Sequence, residues 1–336
     1  MDYSQDQVFQ DGAGSFENRL KVQEINHMAY RIRNEISKVI VGQERVLDMM
    51  LTALLANGHV LLEGVPGVAK TLMAKLLARC IDTGYSRIQF TPDLMPSDVL
   101  GTTIFNTATS SFEFNAGPVF SNIVLIDEVN RAPAKTQSAL FELMEERQVT
   151  IDGATRKMSR PFLVLATQNP VEHEGTYRLP EAQLDRFLMR LSLGYPGLED
   201  EIEMLHNLRK QHPIDSIAQV VDGKELLDMQ DAISDVNVDA TLEKYILTLV
   251  QATRTHPSLA LGASPRGSLA VYKTAQALAA LRGRDFVKPD DIKILVPVTL
   301  AHRLVLKPES QLRGRTAAGI IQEILEQTEL DIGSLR

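Results

Sequence analysis

Five short apolar runs, at residues 60–62, 88–90, 123–126, 162–166 and 188–193, alternate with stretches of helical periodicity. Short apolar runs suit buried strands, and their alternation with helices implies a parallel sheet covered on either side. The expected fold is therefore α/β, with a three-layer αβα core. Upstream, Val22, Ile25, Met28, Ala29, Ile32 and Ile36 recur at the spacing of one buried helix face. Residues 1–17 are polar, carry Gly12 and Gly14, and read as a loose, flexible arm. Beyond Gly194-Tyr195-Pro196-Gly197, a candidate hinge, the strand pattern stops and the remainder reads as helices. Asp239, Ser264-Pro265 and Lys288-Pro289-Asp290-Asp291 carry helix-start signals, and Pro297 is expected to kink or end the helix it falls in. The division this pattern predicts is an arm over 1–17, a core over 18–195 and a smaller all-helical domain over 196–336.

Composition narrows the function classes. The 336 residues are 44% hydrophobic and 23% charged, which excludes a disordered chain or a small disulfide scaffold. A net charge of -8 weighs against a general nucleic-acid binder, because duplex binding rests on clustered positive charge. No stretch approaches the ~20 apolar residues of a membrane span, and the start lacks the basic and then apolar order of a secretion signal. No membrane span and a cytoplasmic location are expected. The single cysteine, Cys80, shares an apolar helix face with Met73, Leu76 and Leu77 and reads as core, in agreement with a reducing compartment.

The chemistry begins at Gly64-Val65-Pro66-Gly67-Val68-Ala69-Lys70-Thr71, between the first apolar run and a helix. A tight loop in that position points backbone amides inward at a helix N-terminus, where the dipole favours an anion. Lys70 can then reach the outer phosphates and the Thr71 hydroxyl can ligate Mg²⁺. A plain strand-to-helix turn is the competing reading. Ala69 stands where such loops usually carry glycine, and the loop is expected to tolerate it if φ is negative there.

The run at 123–126 ends in Asp127-Glu128. Adjacent strand residues point in opposite directions, so Asp127 can hold Mg²⁺ through its water shell while Glu128 orients and deprotonates an attacking water. A solvated strand end is the alternative. The run at 162–166 continues into Thr167-Gln168-Asn169-Pro170. In a parallel sheet these strand ends share one edge, which brings Asn169 towards Lys70 and Asp127. Its neutral amide can hold the attacking water or the γ-phosphate, although Asn-Pro is also a turn starter.

In this order the motifs resemble the Walker A, Walker B and sensor 1 elements of AAA+ ATPases, and the chain is similar to the MoxR family over roughly residues 20–330. Ile40-Val41-Gly42-Gln43 resembles the segment bordering the adenine pocket, Leu184-Asp185-Arg186-Phe187 the arginine-finger box, and Gly262-Ala263-Ser264-Pro265-Arg266 sensor 2. The resemblance implies a P-loop core followed by an all-α lid. It implies nucleotide contacts from Val41, Gly42, the loop from Gly64 through Val68, Ala69, Lys70, Thr71 and Leu72, and Arg266. Catalysis would fall to Lys70, Glu128, Asn169 and Arg186, with ATP as the nucleotide and Mg²⁺ held at Thr71 and Asp127.

The same resemblance implies a homo-oligomeric ring, most often a hexamer, in which Arg186 points at the neighbouring subunit's nucleotide. Pairing of Arg186 with Asp185 or Glu181 in its own chain is the alternative, as pairing with a lid carboxylate is for Arg266. Arg178 stands where the family pattern has proline, and Gly267 stands where a helix former is usual, at a cost of up to about 1 kcal/mol.

Residues 92–120, with alternating runs at 103–105 and 112–114, read as a hairpin that resembles the helix-2 insert of one branch of these ATPases. Asp152-Gly153 marks a second hairpin. Both also fit ordinary surface hairpins. No Asn-Lys-x-Asp segment is present to read guanine, which favours ATP over GTP. The implied function is an ATP-hydrolysing chaperone or remodeller of a protein partner, with a von Willebrand factor A-type domain as the partner suggested by the family. A nucleic-acid motor is the runner-up. A nucleotide switch without turnover is a third reading, against which Glu128 argues.

Overall fold

The computed structural model describes residues 5–64, 68–169, 177, 179–208 and 217–330. Contacts divide the chain into a sheet unit, Ile32–Met50 with Asn57–Gly223, and a helical unit, Met1–Arg31 with Leu51–Ala56 and Lys224–Arg336. This differs from a single cut at 195/196. The stretch just before Lys224 stays with the sheet unit, because the N–H groups of Val220 and Val221 donate to the Cys80 carbonyl at 2.8 and 3.0 Å. The arm expected over residues 1–17 is also different, being helical from Gln5 as part of α1 (Gln5–Ile36). Once a buried segment has nucleated a helix, each added residue gains a backbone hydrogen bond, which offsets the poor propensity of Gly12 and Gly14.

After α1 comes α2 (Glu44–Leu55). The sheet unit continues with β1 (Val60–Gly64), α3 (Lys70–Ile81), β2 (Tyr85–Gln89), α4 (Pro96–Leu100), β3 (Gly101–Asn106), β4 (Ser111–Ala116) and β5 (Ile123–Asp127). Then follow α5 (Ala134–Glu146), β6 (Gln148–Ile151), β7 (Ala154–Lys157), β8 (Leu163–Gln168), α6 (Glu181–Leu184), β9 (Met189–Leu193) and α7 (Leu198–Leu208). The five predicted apolar runs are β1, β2, β5, β8 and β9, all parallel, in the order β2-β5-β8-β1-β9. The apolar residues of β5 and β8 are buried on both faces, which is why neither strand alternates. Ile126 lies opposite Ala166, and Leu62 opposite Thr167, so β1, β5 and β8 end together at the carboxyl edge.

Buried His59 fastens this sheet to a helix. Its Nδ1 accepts from the Val164 N–H on β8 and its Nε2 donates to the Met144 carbonyl on α5, each at 3.0 Å. Cys80 is core as expected, and burial pushes its thiol up to about 12. Both expected hairpins are present, β3 with β4 and β6 with β7. They meet where the Arg156 guanidinium lies 3.8 Å over the Phe114 ring.

The helical unit contains α8 (Gly223–Ala232), α9 (Ala240–Thr255), α10 (Pro265–Leu281), α11 (Pro289–Leu300), α12 (Pro308–Leu312) and α13 (Ala317–Gln327). It is not wholly helical, since β10 (Leu259–Leu261) and β11 (Val305–Leu306) form a short antiparallel ribbon. The Asp239 and Ser264 side chains cap α9 and α10, accepting from Thr241 N–H and Arg266 N–H at 2.8 and 3.2 Å. Pro297 does not end α11, which runs on to Leu300; the helix forgoes one donor, and the Pro297 carbonyl still accepts from Ala301 N–H. Gly267 has a packing reason, because a Cβ there would lie 3.0 Å from Leu300 on α11 and 3.1 Å from Ala263.

Candidate nucleotide site

The end of β1 is set by close approach. A Cβ on Gly64 would sit 2.7 Å from the Leu193 carbonyl of β9, so glycine is required there. Val65, Pro66 and Gly67 lie outside the described residues. Val68 is buried, and Ala69 has φ 59, the left-handed conformation, so the negative φ that would make alanine free of strain is not present. The chain accepts a strain of about 1–2 kcal/mol at this alanine because the residue entering α3 must turn sharply. The Ala69 carbonyl already accepts from Met73 N–H at 2.9 Å. Lys70 opens α3, with Nζ donating to the Gly64 carbonyl at 2.7 Å.

The two acids end β5. Asp127 is only 7% exposed; its Oδ1 accepts from the Thr167 hydroxyl at 3.2 Å, and its Oδ2 faces the Thr71 hydroxyl at 3.5 Å. Arg87 Nε donates to the same Oδ2 at 2.6 Å. Glu128 has φ 57, a left-handed turn that takes the chain out of the sheet, and its N–H donates to the Thr167 hydroxyl at 3.0 Å. Glu128 Oε2 accepts from Gln89 Nε2 at 2.8 Å and lies 3.0 Å from Arg131 Nε. Asn169 follows β8 directly and is buried at the same carboxyl edge.

Thr71 and Asp127 thus face one another, Lys70 opens α3 beside Thr71, and Glu128 and Asn169 follow the carboxyl ends of β5 and β8. Arg87, Gln89, Arg131 and Thr167 were not anticipated. The alternation of β2, with Arg87 and Gln89 exposed on either side of buried Ile88, is the signal that could have found two of them. A hydroxyl and a buried carboxylate facing one another suit Mg²⁺, which takes few protein ligands and completes its shell with water and phosphate. Among the described residues there is no cluster of three or more His, Cys, Asp or Glu that could cage a metal.

The Val41-Gly42 segment packs against the first turn of α7. Gly42 has φ 75, and a Cβ there would meet the Asp200 carboxylate at 2.2 Å, while Asp200 also accepts from Gly197 N–H at 3.1 Å. Beside this segment a cavity of about 190 Å³ is lined by Ile40, Gln43, Leu47 and Met73. Arg186 precedes β9 and pairs within its own chain, though with neither Asp185 nor Glu181: its Nε donates to Glu145 Oε2 at 2.7 Å. Arg266 is exposed in the first turn of α10, in the helical unit. Arg178 lies outside the described residues.

An interior strand followed by a helix that opens on Lys-Thr, a buried asparagine after the adjacent strand and paired acids at the end of the strand beyond that one define a P-loop ATPase of the AAA+ class. The profile of the ATPase family associated with various cellular activities (AAA) matches residues 59–189, and that of the AAA lid domain residues 251–324. The chain is 44% identical to chaperone MoxR1 of Mycobacterium tuberculosis over 313 residues, covering 90% of this chain and 82% of that one. It belongs to the MoxR family of AAA+ ATPases. It is also 50% identical to the uncharacterized protein YeaC of Bacillus subtilis over 297 residues, 88% of this chain and 93% of the relative. A crystal structure of a candidate ATPase from Cytophaga hutchinsonii, 42% identical, superposes with a TM-score of 0.86 over 96% of this chain and 99% of its own.

Proposed function

We propose that this chain binds ATP with Mg²⁺, hydrolyses it to ADP and phosphate, and uses the cycle, as a homo-oligomeric and most simply hexameric ring in the cytoplasm, to remodel a protein partner. The observation that carries the hydrolytic reading is the convergence of Lys70, Thr71, Asp127 and Glu128 on one sheet edge, with Thr71 and Asp127 3.5 Å apart. Lys70 supplies a cation to the outer phosphates, and amides of the loop before α3 face the anion along the helix dipole. Thr71 and Asp127 would hold Mg²⁺, which when bound neutralises phosphate charge. Glu128 takes a proton from the attacking water, Asn169 holds that water or the γ-phosphate, and the family resemblance assigns Arg266 to the γ-phosphate. The remodelling role is supported by the name of the related chaperone MoxR1, and the partner we favour carries a von Willebrand factor A-type domain.

Binding and hydrolysis separate by mutation. Lys70→Ala should lose nucleotide affinity by roughly tenfold or more, whereas Glu128→Gln should bind ATP normally and turn over about 10²-fold or more slowly. Equilibrium binding of a fluorescent ATP analogue and phosphate release measure the two effects. Undiminished turnover in Glu128→Gln would remove that residue from the chemistry. The same variant, holding ATP, should retain the partner in a pull-down; equal retention without nucleotide would argue against an ATP-driven remodeller.

A further inference from the structure

Asp127 has two carboxylate oxygens in different surroundings. Oδ1 is held by the Thr167 hydroxyl at 3.2 Å, whereas Oδ2 faces both Thr71, at 3.5 Å, and Arg87, at 2.6 Å. Oδ2 is therefore the oxygen aimed at the side where Thr71 and Asp127 would share Mg²⁺, and a guanidinium lies against it. The Arg87 side chain is 52% exposed and that of Asp127 is 10% exposed, so the cation covers a buried carboxylate from the solvent side. Its position follows from topology. β2 is the edge strand beside β5, Gln89 is in register with Asp127, and Arg87 lies two residues back on the same face of the strand.

We propose that Arg87 competes with Mg²⁺ for Oδ2 of Asp127, and so acts as a positioning residue that sets the Mg²⁺ concentration at which the metal–nucleotide complex forms. A guanidinium within hydrogen-bond reach of an oxygen excludes a hydrated dication from that oxygen, and the two cations repel one another. A buried carboxylate left with neither cation would be costly, so Arg87 keeps Asp127 compensated until the metal arrives. Because Arg87 is half in water, it is rehydrated when displaced, which keeps the pair weaker than one buried on both sides and able to exchange. Gln89, two residues on, holds Glu128 in the same way but without charge, so the metal dependence is specific to Arg87.

This inference rests on the nucleotide-binding reading above, and its test separates the two. Mg²⁺ is titrated into the full-length protein with a fluorescent ATP analogue to obtain the midpoint of metal-dependent binding, and Mn²⁺ uptake is followed in parallel by electron paramagnetic resonance. Arg87→Gln and Arg87→Ala, which remove the cation, should lower both midpoints roughly three- to fivefold or more, since one partner is half in water and the other buried. Analogue affinity in excess chelator should change by less than that. Arg87→Lys, which keeps the charge, should stay close to the parent. A midpoint unchanged or raised in both neutral variants, or lowered equally in Arg87→Lys, overturns the proposal while nucleotide binding stands. A parent protein that binds no nucleotide at any Mg²⁺ concentration overturns the ATPase reading, and this inference with it.

Discussion

Two residues that bracket the candidate chemistry, Ala69 and Glu128, are held in left-handed backbone conformations that side chains resist. At Glu128 the strain suits the role proposed for it, since the turn lifts the carboxylate out of the sheet. At Ala69 the methyl group does nothing the site needs. Ala69→Gly should therefore stabilise the protein, by about 0.5–1 kcal/mol once relief of the strain is set against the freer unfolded chain. Urea denaturation measures the change; a loss of stability would mean that the alanine methyl is packed to advantage. The identities of Lys70, Thr71, Asp127 and Glu128 were legible in the sequence because each belongs to a short local motif whose chemistry limits the residue types. The sign of φ at Ala69 was not, because it depends on how sharply β1 must hand the chain to α3. Arg87 and Gln89 were not legible either: a polar residue on an edge strand looks solvated until pairing with β5 sets Gln89 opposite Asp127.

Among elements, β5 and β8 could be read from their apolar runs because burial on both faces leaves a continuous signal, while β2 and β9 showed through the alternation of buried and open positions. The β10–β11 ribbon could not, since its strands are three and two residues long, too short for any period. His59 shows a second kind of information, a polar side chain used as a fastener between β8 and α5. Burial, with the Arg147 charge as a lesser cause, pushes its imidazole from 6.5 down to about 3. The unfolded chain therefore binds a proton near pH 6.5 that the folded chain refuses until about pH 3. The stability contributed by neutral His59 is fully present above pH 6.5 and is lost as pH falls towards 3. The slope is at most about 1.4 kcal/mol per pH unit. His59→Gln, which keeps a donor and an acceptor but cannot titrate, should be flatter than the parent by roughly 1 kcal/mol per pH unit between about pH 6 and pH 4. Denaturant midpoints measured across that range for both proteins decide it; parallel curves would mean that His59 is charged in the fold.

At the scale of the whole molecule, the proposed reaction gives one chain the cations and ligands for phosphate, metal and water, yet charge that develops on the γ-phosphoryl group in the transition state calls for a further cation. Arg186 is the residue proposed for that task in the neighbouring subunit's site. Within its own chain it is tied to Glu145 on α5, with both side chains partly exposed. A pair in that setting contributes at most about 1 kcal/mol, so it can hold the guanidinium near the end of α5 without preventing its transfer to a more strongly charged partner. A finger in trans can contribute ~10³-fold to turnover, so specific activity should rise with protein concentration as rings assemble. Subunit mixing tests the assignment directly. Arg186→Ala retains a working pocket and lacks the finger, while Glu128→Gln retains the finger and lacks the base. Each alone should be nearly inactive, and a mixture should recover phosphate release, because some pockets with an intact Glu128 then face a neighbour with an intact Arg186. No recovery, in rings shown by labelled subunits to exchange, would mean that Arg186 keeps its bond to Glu145 throughout the cycle and that the missing cation comes from elsewhere.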